Sequence, residues 1–216
     1  MKMPFDVWVL FAGAAFALCM APGPNNLLAM FNGARHGVLA ALIGGAGRLT
    51  AFAAMIVVTA MGLGVVLATS ETAFMILKWG GAVYLVYLGV RTWRSKVTGA
   101  PADVSVDKGS AVLIAHPGAM TLARIEFLTA IGNPKAILIF TAFFPQFLDP
   151  AAAYGPQFAV MGLTFLVLEA CVLFGYGLVG GQVKGLIRSA RHMMILNRIS
   201  GGLLMGAGVL LATSRR

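Results

Sequence analysis

The chain has 216 residues, of which 59% are hydrophobic and only 11% charged. With its 27 glycines, roughly 71% of it is apolar or glycine, where soluble domains stand near 45–50% on the same count and carry about 25% charge. These figures exclude a water-soluble globule, whose polar surface would be too small, and a disordered chain, which needs low hydrophobicity.

A membrane-crossing helix takes about 20 apolar residues, so the length accommodates six or seven spans and no further domain. The first apolar run is Phe5 to Phe31, interrupted by Pro22-Gly23-Pro24-Asn25-Asn26. Lys2 before it gives the outline of a signal peptide, but Leu18-Cys19 fits a lipoprotein site poorly and Pro22 and Pro24 sit badly beside a cleavage point, so the run is expected to stay as a span. The second run is Val38 to Thr69 with one charge, Arg48; Ser70 and Glu71 then form a tight hairpin into the third, Thr72 to Val90. A polar loop covers Arg91 to His116. The fourth run, Phe127 to Leu148, is interrupted by Asn133-Pro134-Lys135; the fifth, Phe158 to Gly181, contains Glu169; the sixth, at 195–213, is the weakest. Cys19 and Cys171 both lie in apolar runs and suggest no disulfide framework.

Six spans place ten basic residues on one face: Arg35, Arg91, Arg94, Lys96, Lys108, Arg124, Lys184, Arg188, Arg191 and Arg198. The other face receives three: Lys2, Arg215 and Arg216. Basic loops stay in the cytoplasm, so both termini are expected outside. The net charge of +9 is then a topological signal that meets anionic lipid heads. No basic face is interleaved with aromatic residues, and no nucleic-acid partner is expected.

The chain divides near residue 105 into halves of three spans, and an odd number per half inverts the second half in the membrane. The first helix of each half carries a proline-and-asparagine break, at 22–26 and at 133–135, and the third opens with a Gly-Gly pair, Gly80-Gly81 and Gly201-Gly202. The expectation is an all-α integral membrane protein. It has a single transmembrane domain over 1–216, built as two inverted three-helix repeats with broken first helices: repeat one at 1–97, a cytoplasmic loop at 91–116 and repeat two at 117–216. Matched breaks in inverted halves are the sequence pointer to a carrier's binding site. Proline removes a helical hydrogen bond, and the freed backbone groups are tolerated only where they line a cavity or find protein partners. The half-helix N-terminus after a break favours an anion such as a carboxylate. Packing kinks are the plainer alternative.

The sequence resembles the LysE/RhtB family of amino-acid exporters over nearly its whole length. The resemblance rests on Ala21-Pro22-Gly23-Pro24-Asn25-Asn26 followed by Arg35-His36-Gly37, on the run Leu77 to Gly89, on FLTAIGNPKAILIFTAFFPQF at 127–147, and on Asn197-Arg198-Ile199-Ser200-Gly201-Gly202. It implies a small bacterial inner-membrane carrier that moves amino acids or close derivatives out of the cell, driven by the proton-motive force. Arg48, after Gly44-Gly45-Ala46-Gly47, departs from the pattern, in which a neutral or acidic residue is common, and this puts a standard substrate in question.

Depth separates the remaining charges. Lys135 lies nine residues past Glu126, about 13 Å along a helix, and Glu169 lies near the middle of its run. Each would cost about 2.5–3.5 kcal/mol or more there unless paired or wetted. Lys135 is expected to hold a substrate carboxylate and Glu169 to carry a proton, or the two to pair as a structural bridge. Arg48, about 31 Å from the far end of its run by helical rise, falls at the cytoplasmic edge, where it either snorkels or reaches the cavity. The candidate substrate-binding residues are Pro22, Gly23, Pro24, Asn25, Asn26, Arg48, Asn133, Pro134 and Lys135, with Glu169 for proton coupling. No catalytic residue, metal site or cofactor is expected. Glu169, read as the sole acid in the membrane core, argues for a neutral amino acid. Alternatives are export of another small metabolite or a metal ion, or a membrane-embedded enzyme, which would want a clustered His or Asp/Glu pair. Partners are the small-molecule substrate and the bilayer; homo-oligomerisation is left open.

Overall fold

The computed structural model of the chain describes residues 3–69 and 118–182, with scattered helical positions between 79 and 94 and between 198 and 209. The expected hairpin at Ser70-Glu71, the third span, the loop at 91–116 and the sixth span lie outside the described residues, apart from those scattered positions. Among the described residues there is no strand.

Helix α1 (Phe5–Met20) is apolar almost throughout and stops where Pro22 and Pro24 withdraw backbone donors. Gly23 is extended, and α2 (Pro24–His36) starts with proline in its first turn, where the missing N–H costs nothing. Gly37, at φ 88°, ends it in the left-handed conformation that glycine adopts without penalty. Helix α3 (Val38–Thr69) follows directly. In the second half, α4 (Ala119–Ile131) stops before the second break. There the Asn133 side chain accepts from the Lys135 amide and caps α5 (Pro134–Leu138). The chain continues as a π-helical turn, Ile139–Phe143, and a 3₁₀ turn, Phe144–Phe147. Gln157 ties down the next loop, accepting from the Asp149 amide at 2.8 Å and donating to the Asp149 carbonyl at 3.0 Å. Helix α6 (Tyr154–Gln182) completes the described chain.

Helices α3, over Val38–Gly62, and α6 are long and apolar enough to cross a membrane. The pair α1/α2, and α4 with the helical stretch Lys135–Phe147 that begins in α5, each have the length and composition of one more span, bent by 59° and 58° at the breaks. That gives two to four candidate spans among the described residues. The order bent pair then long helix occurs once in each half.

One boundary differs from expectation in a way that matters. The fourth apolar run starts at Phe127, with Arg124 on the loop before it, whereas α4 begins at Ala119. Glu126 is inside it and fully buried.

Small residues set the helix spacing. A Cβ on Gly33 of α2 would lie 2.3 Å from the Gly177 carbonyl oxygen of α6, and one on Gly47 of α3 would lie 2.0 Å from the Ala123 carbonyl oxygen of α4. Close backbone approach of this kind is how helices associate where lipid removes the hydrophobic drive. Toward the other end of the bundle the core is aromatic. Phe11, Phe143, Phe144 and Phe147 form one group, with Phe11 to Phe147 centroids 5.2 Å apart. Phe140, Phe165 and Phe52 extend it, with Phe140–Phe165 also at 5.2 Å.

Candidate functional site

The first break exposes the carbonyls at the end of α1, and side chains take them up. Asn26 Nδ2 donates to the Cys19 carbonyl at 2.7 Å and to that of Ala21 at 3.1 Å. Tyr176 Oη donates to the Met20 carbonyl at 2.9 Å. Lys135 Nζ donates to the Ala21 carbonyl at 2.8 Å. The ammonium thus sits at the negative end of α1, where a helix favours a cation.

The two breaks touch. Asn133 Nδ2 donates to Asn25 Oδ1 at 2.9 Å. Asn25 Nδ2 in turn donates to the Glu126 backbone carbonyl at 3.3 Å and to Glu126 Oε2 at 3.2 Å.

Behind this contact lies Arg48, with 0% of its surface exposed. Its Nε donates to Glu126 Oε2 at 3.0 Å. Its Nη1 donates to Asn26 Oδ1 at 3.1 Å and to Glu169 Oε1 at 3.0 Å. Its Nη2 donates to the Asn25 carbonyl and to the Glu126 carboxylate at 2.9 Å. A guanidinium has five N–H donors, and all five have acceptors. The close approach at Gly47 brings α3 near enough to α4 for this geometry. A charge held so completely offsets a desolvation cost that would otherwise be several kcal/mol.

A small cavity opens between the breaks. Its walls include Gly23, Asn25, Asn26, Asn133, Lys135 and Glu169 on the polar side, and Leu18, Phe52, Ile139 and Phe165 on the apolar side. Its free space is about 20 Å³, room for roughly one water. An amino acid enters only if the breaks part. Lys135 and Glu169 share this wall without an ion pair: among the described residues Arg48 makes both ion pairs with the buried acids. The expected Lys135–Glu169 bridge is absent because Lys135 is drawn to the end of α1 and Glu169 to Arg48.

Six of the ten candidate residues therefore line one cavity: Gly23, Asn25, Asn26, Asn133, Lys135 and Glu169. Pro22, Pro24 and Pro134 belong to the breaks that shape it. Arg48 neither snorkels nor lines the wall; it is enclosed behind it. The edge position was inferred by counting back from Thr69. Helix α3 has 32 residues, about 48 Å, so Arg48, ten residues from its start, is about 15 Å inside. Glu126 was missed as a site residue, and so was the carbonyl-capping Tyr176. The signal for Glu126 was its spacing: seven residues before Asn133 is two helical turns, which puts it on the face of the break. Among the described residues two acids, not one, are buried.

Broken helices meeting around a small charged cavity inside an apolar bundle define a polytopic membrane carrier rather than a soluble protein. The family model for LysE type translocators matches residues 16–215, and the chain belongs to that family. It is 34% identical to a protein of Vibrio cholerae named only as a membrane protein, over 99% of this chain and 100% of that one. It is 32% identical to a homoserine/homoserine lactone efflux protein of Salmonella typhimurium, over 99% of both chains. It is 29% identical to a leucine efflux protein of Klebsiella pneumoniae, over 93% of this chain and 92% of that one. No solved structure matches the chain significantly.

Proposed function

We propose that this translocator is an inner-membrane secondary transporter exporting a neutral amino acid or a close derivative in exchange for protons. The observation that carries the reading is the cavity wall, where one ammonium and one carboxylate, Lys135 and Glu169, stand unpaired with each other. A zwitterion has the complementary charges. Lys135, with one of its three donors on Ala21, takes the substrate carboxylate beside Asn25, Asn26 and Asn133. Glu169 takes the substrate ammonium. Phe52, Ile139 and Phe165 receive an uncharged side chain. Glu126 adds no acid to the wall because Arg48 occupies it, so a dibasic substrate still lacks a second carboxylate.

Exchange follows from one carboxylate serving two cations in turn. On the outer side a proton binds Glu169 and displaces the ammonium; on the inner side the proton leaves and the next substrate binds. The two bent pairs, inverted relative to each other, are the elements that part to open the cavity to either side. With ten basic residues against three, both termini lie outside; a reporter fused at Gly99 should read inside and one at Ala151 outside.

The test is to overexpress the protein and measure which metabolites accumulate in the medium, beginning with L-leucine and L-homoserine, the substrate types of its named relatives. Accumulation of neutral amino acids, abolished by a protonophore, is the expected result. Accumulation only of compounds lacking an ammonium group would overturn the reading.

A further inference from the structure

Arg48 is fully enclosed, and substrate binding does not account for it, since all five of its donors are taken. Glu126 is equally buried and does not line the cavity, which it meets only through Asn25. Together they connect four elements: α3 carries Arg48, α4 carries Glu126, the first turn of α2 supplies Asn25 and Asn26, and α6 carries Glu169.

We propose that Glu126, acting through Arg48, is a positioning residue that sets the Glu169 carboxylate at the cavity wall. Glu126 engages Arg48 by two nitrogens, Nε and Nη2, using both carboxylate oxygens. That leaves only Nη1 for Glu169, and Nη1 is shared with Asn26. Glu169 is thus held at one oxygen and kept from the two-point pairing that guanidinium and carboxylate favour. Without the Glu126 charge, Nε and Nη2 would lose their anionic acceptor. Glu169 would become Arg48's sole counter-ion and would be drawn off the wall toward it. Glu126 also holds the break in register, because Asn25 donates to it and accepts from Asn133.

The charges make the idea testable. Two carboxylates share one guanidinium, so Glu126→Gln leaves a neutral Arg48–Glu169 pair and a protein that folds. Glu126→Gln together with Glu169→Gln leaves Arg48 with no counter-charge. The inference rests on the proposed amino-acid site, so the experiment has two arms. In the first, export of L-leucine and L-homoserine is measured in everted vesicles. Glu126→Gln is expected to raise KM about tenfold or more while maximal rate stays within about threefold and the protein level near wild type. An unchanged KM, or a loss of protein level alone, would make Glu126 merely structural and overturn the proposal. If wild type carries neither probe, it is the neutral amino-acid reading that has failed, and the second arm decides. This arm compares thermal unfolding of the purified wild type, both single variants and the double. Coupling through one shared guanidinium predicts a double-variant loss larger than the sum of the singles, or a double that does not accumulate when both singles do. Additive losses would overturn it.

Discussion

The two sides of the cavity are held by opposite kinds of physics. On one side Arg48, Glu126, Glu169, Asn25 and Asn26 make directional contacts in which each donor has its acceptor. On the other, Phe52, Phe140, Phe144 and Phe165 meet at centroid distances of 5.2–5.9 Å, mostly edge to face. The polar side has one satisfactory arrangement, since a displaced donor in lipid has no water to replace its partner. Ring packing tolerates several arrangements of similar energy. The proposed export calls for both: a fixed register for the groups assigned to the substrate, and a packed side that can rearrange. The π turn at Ile139–Phe143 and the 3₁₀ turn at Phe144–Phe147 fall on the aromatic side, and such departures from α-helix mark hinges.

The comparison breaks first at Arg48. Arg48→Met removes the cation between two buried carboxylates and should destabilise by about 3–5 kcal/mol, read as a collapse of membrane-inserted protein. Phe144→Ala should cost less, about 3 kcal/mol from lost contacts and a new void, measured by thermal unfolding. It should also leave export measurable, because rings around it can close in. Gly47→Ala should cost about 1–3 kcal/mol by overpacking, since its Cβ meets the Ala123 carbonyl. Its effect should propagate to the Arg48–Glu126 pair, so that Gly47→Ala and Glu126→Gln are non-additive in unfolding. Tyr176→Phe, which strands the Met20 carbonyl, should cost about 1 kcal/mol in the same assay.

Much of this was legible in the chain, and the illegible part has a physical cause. The breaks could be read because proline and asparagine act locally: Pro22, Pro24 and Pro134 end helices wherever they stand, and two matched breaks suggested that they meet. Asn25 and Asn133 do meet, at 2.9 Å. The extent of α3, and that of α6 to within about one turn, followed from long apolar runs that each contain a single charge. Glu126 was not legible because a charge at the edge of an apolar run is ordinarily a boundary. Only the guanidinium of Arg48, 78 residues away in sequence, makes its burial favourable. Arg48 was misplaced for the same reason: its depth was counted along one helix, while its surroundings are set by three others. The Lys135–Glu169 bridge was a fair inference from depth alone, but depth does not reveal which of several acceptors is nearer.

The most direct test of the zwitterion site is export by Lys135→Met, which keeps the side-chain bulk and removes the ammonium that shares the cavity wall with Glu169. Cells overproducing wild type and variant at matched membrane levels are compared for neutral amino acids released to the medium. The expected result is a variant that inserts normally and releases no more than cells without the transporter. A Lys135→Met protein that exports at the wild-type rate would contradict the assignment of this cavity as the substrate site.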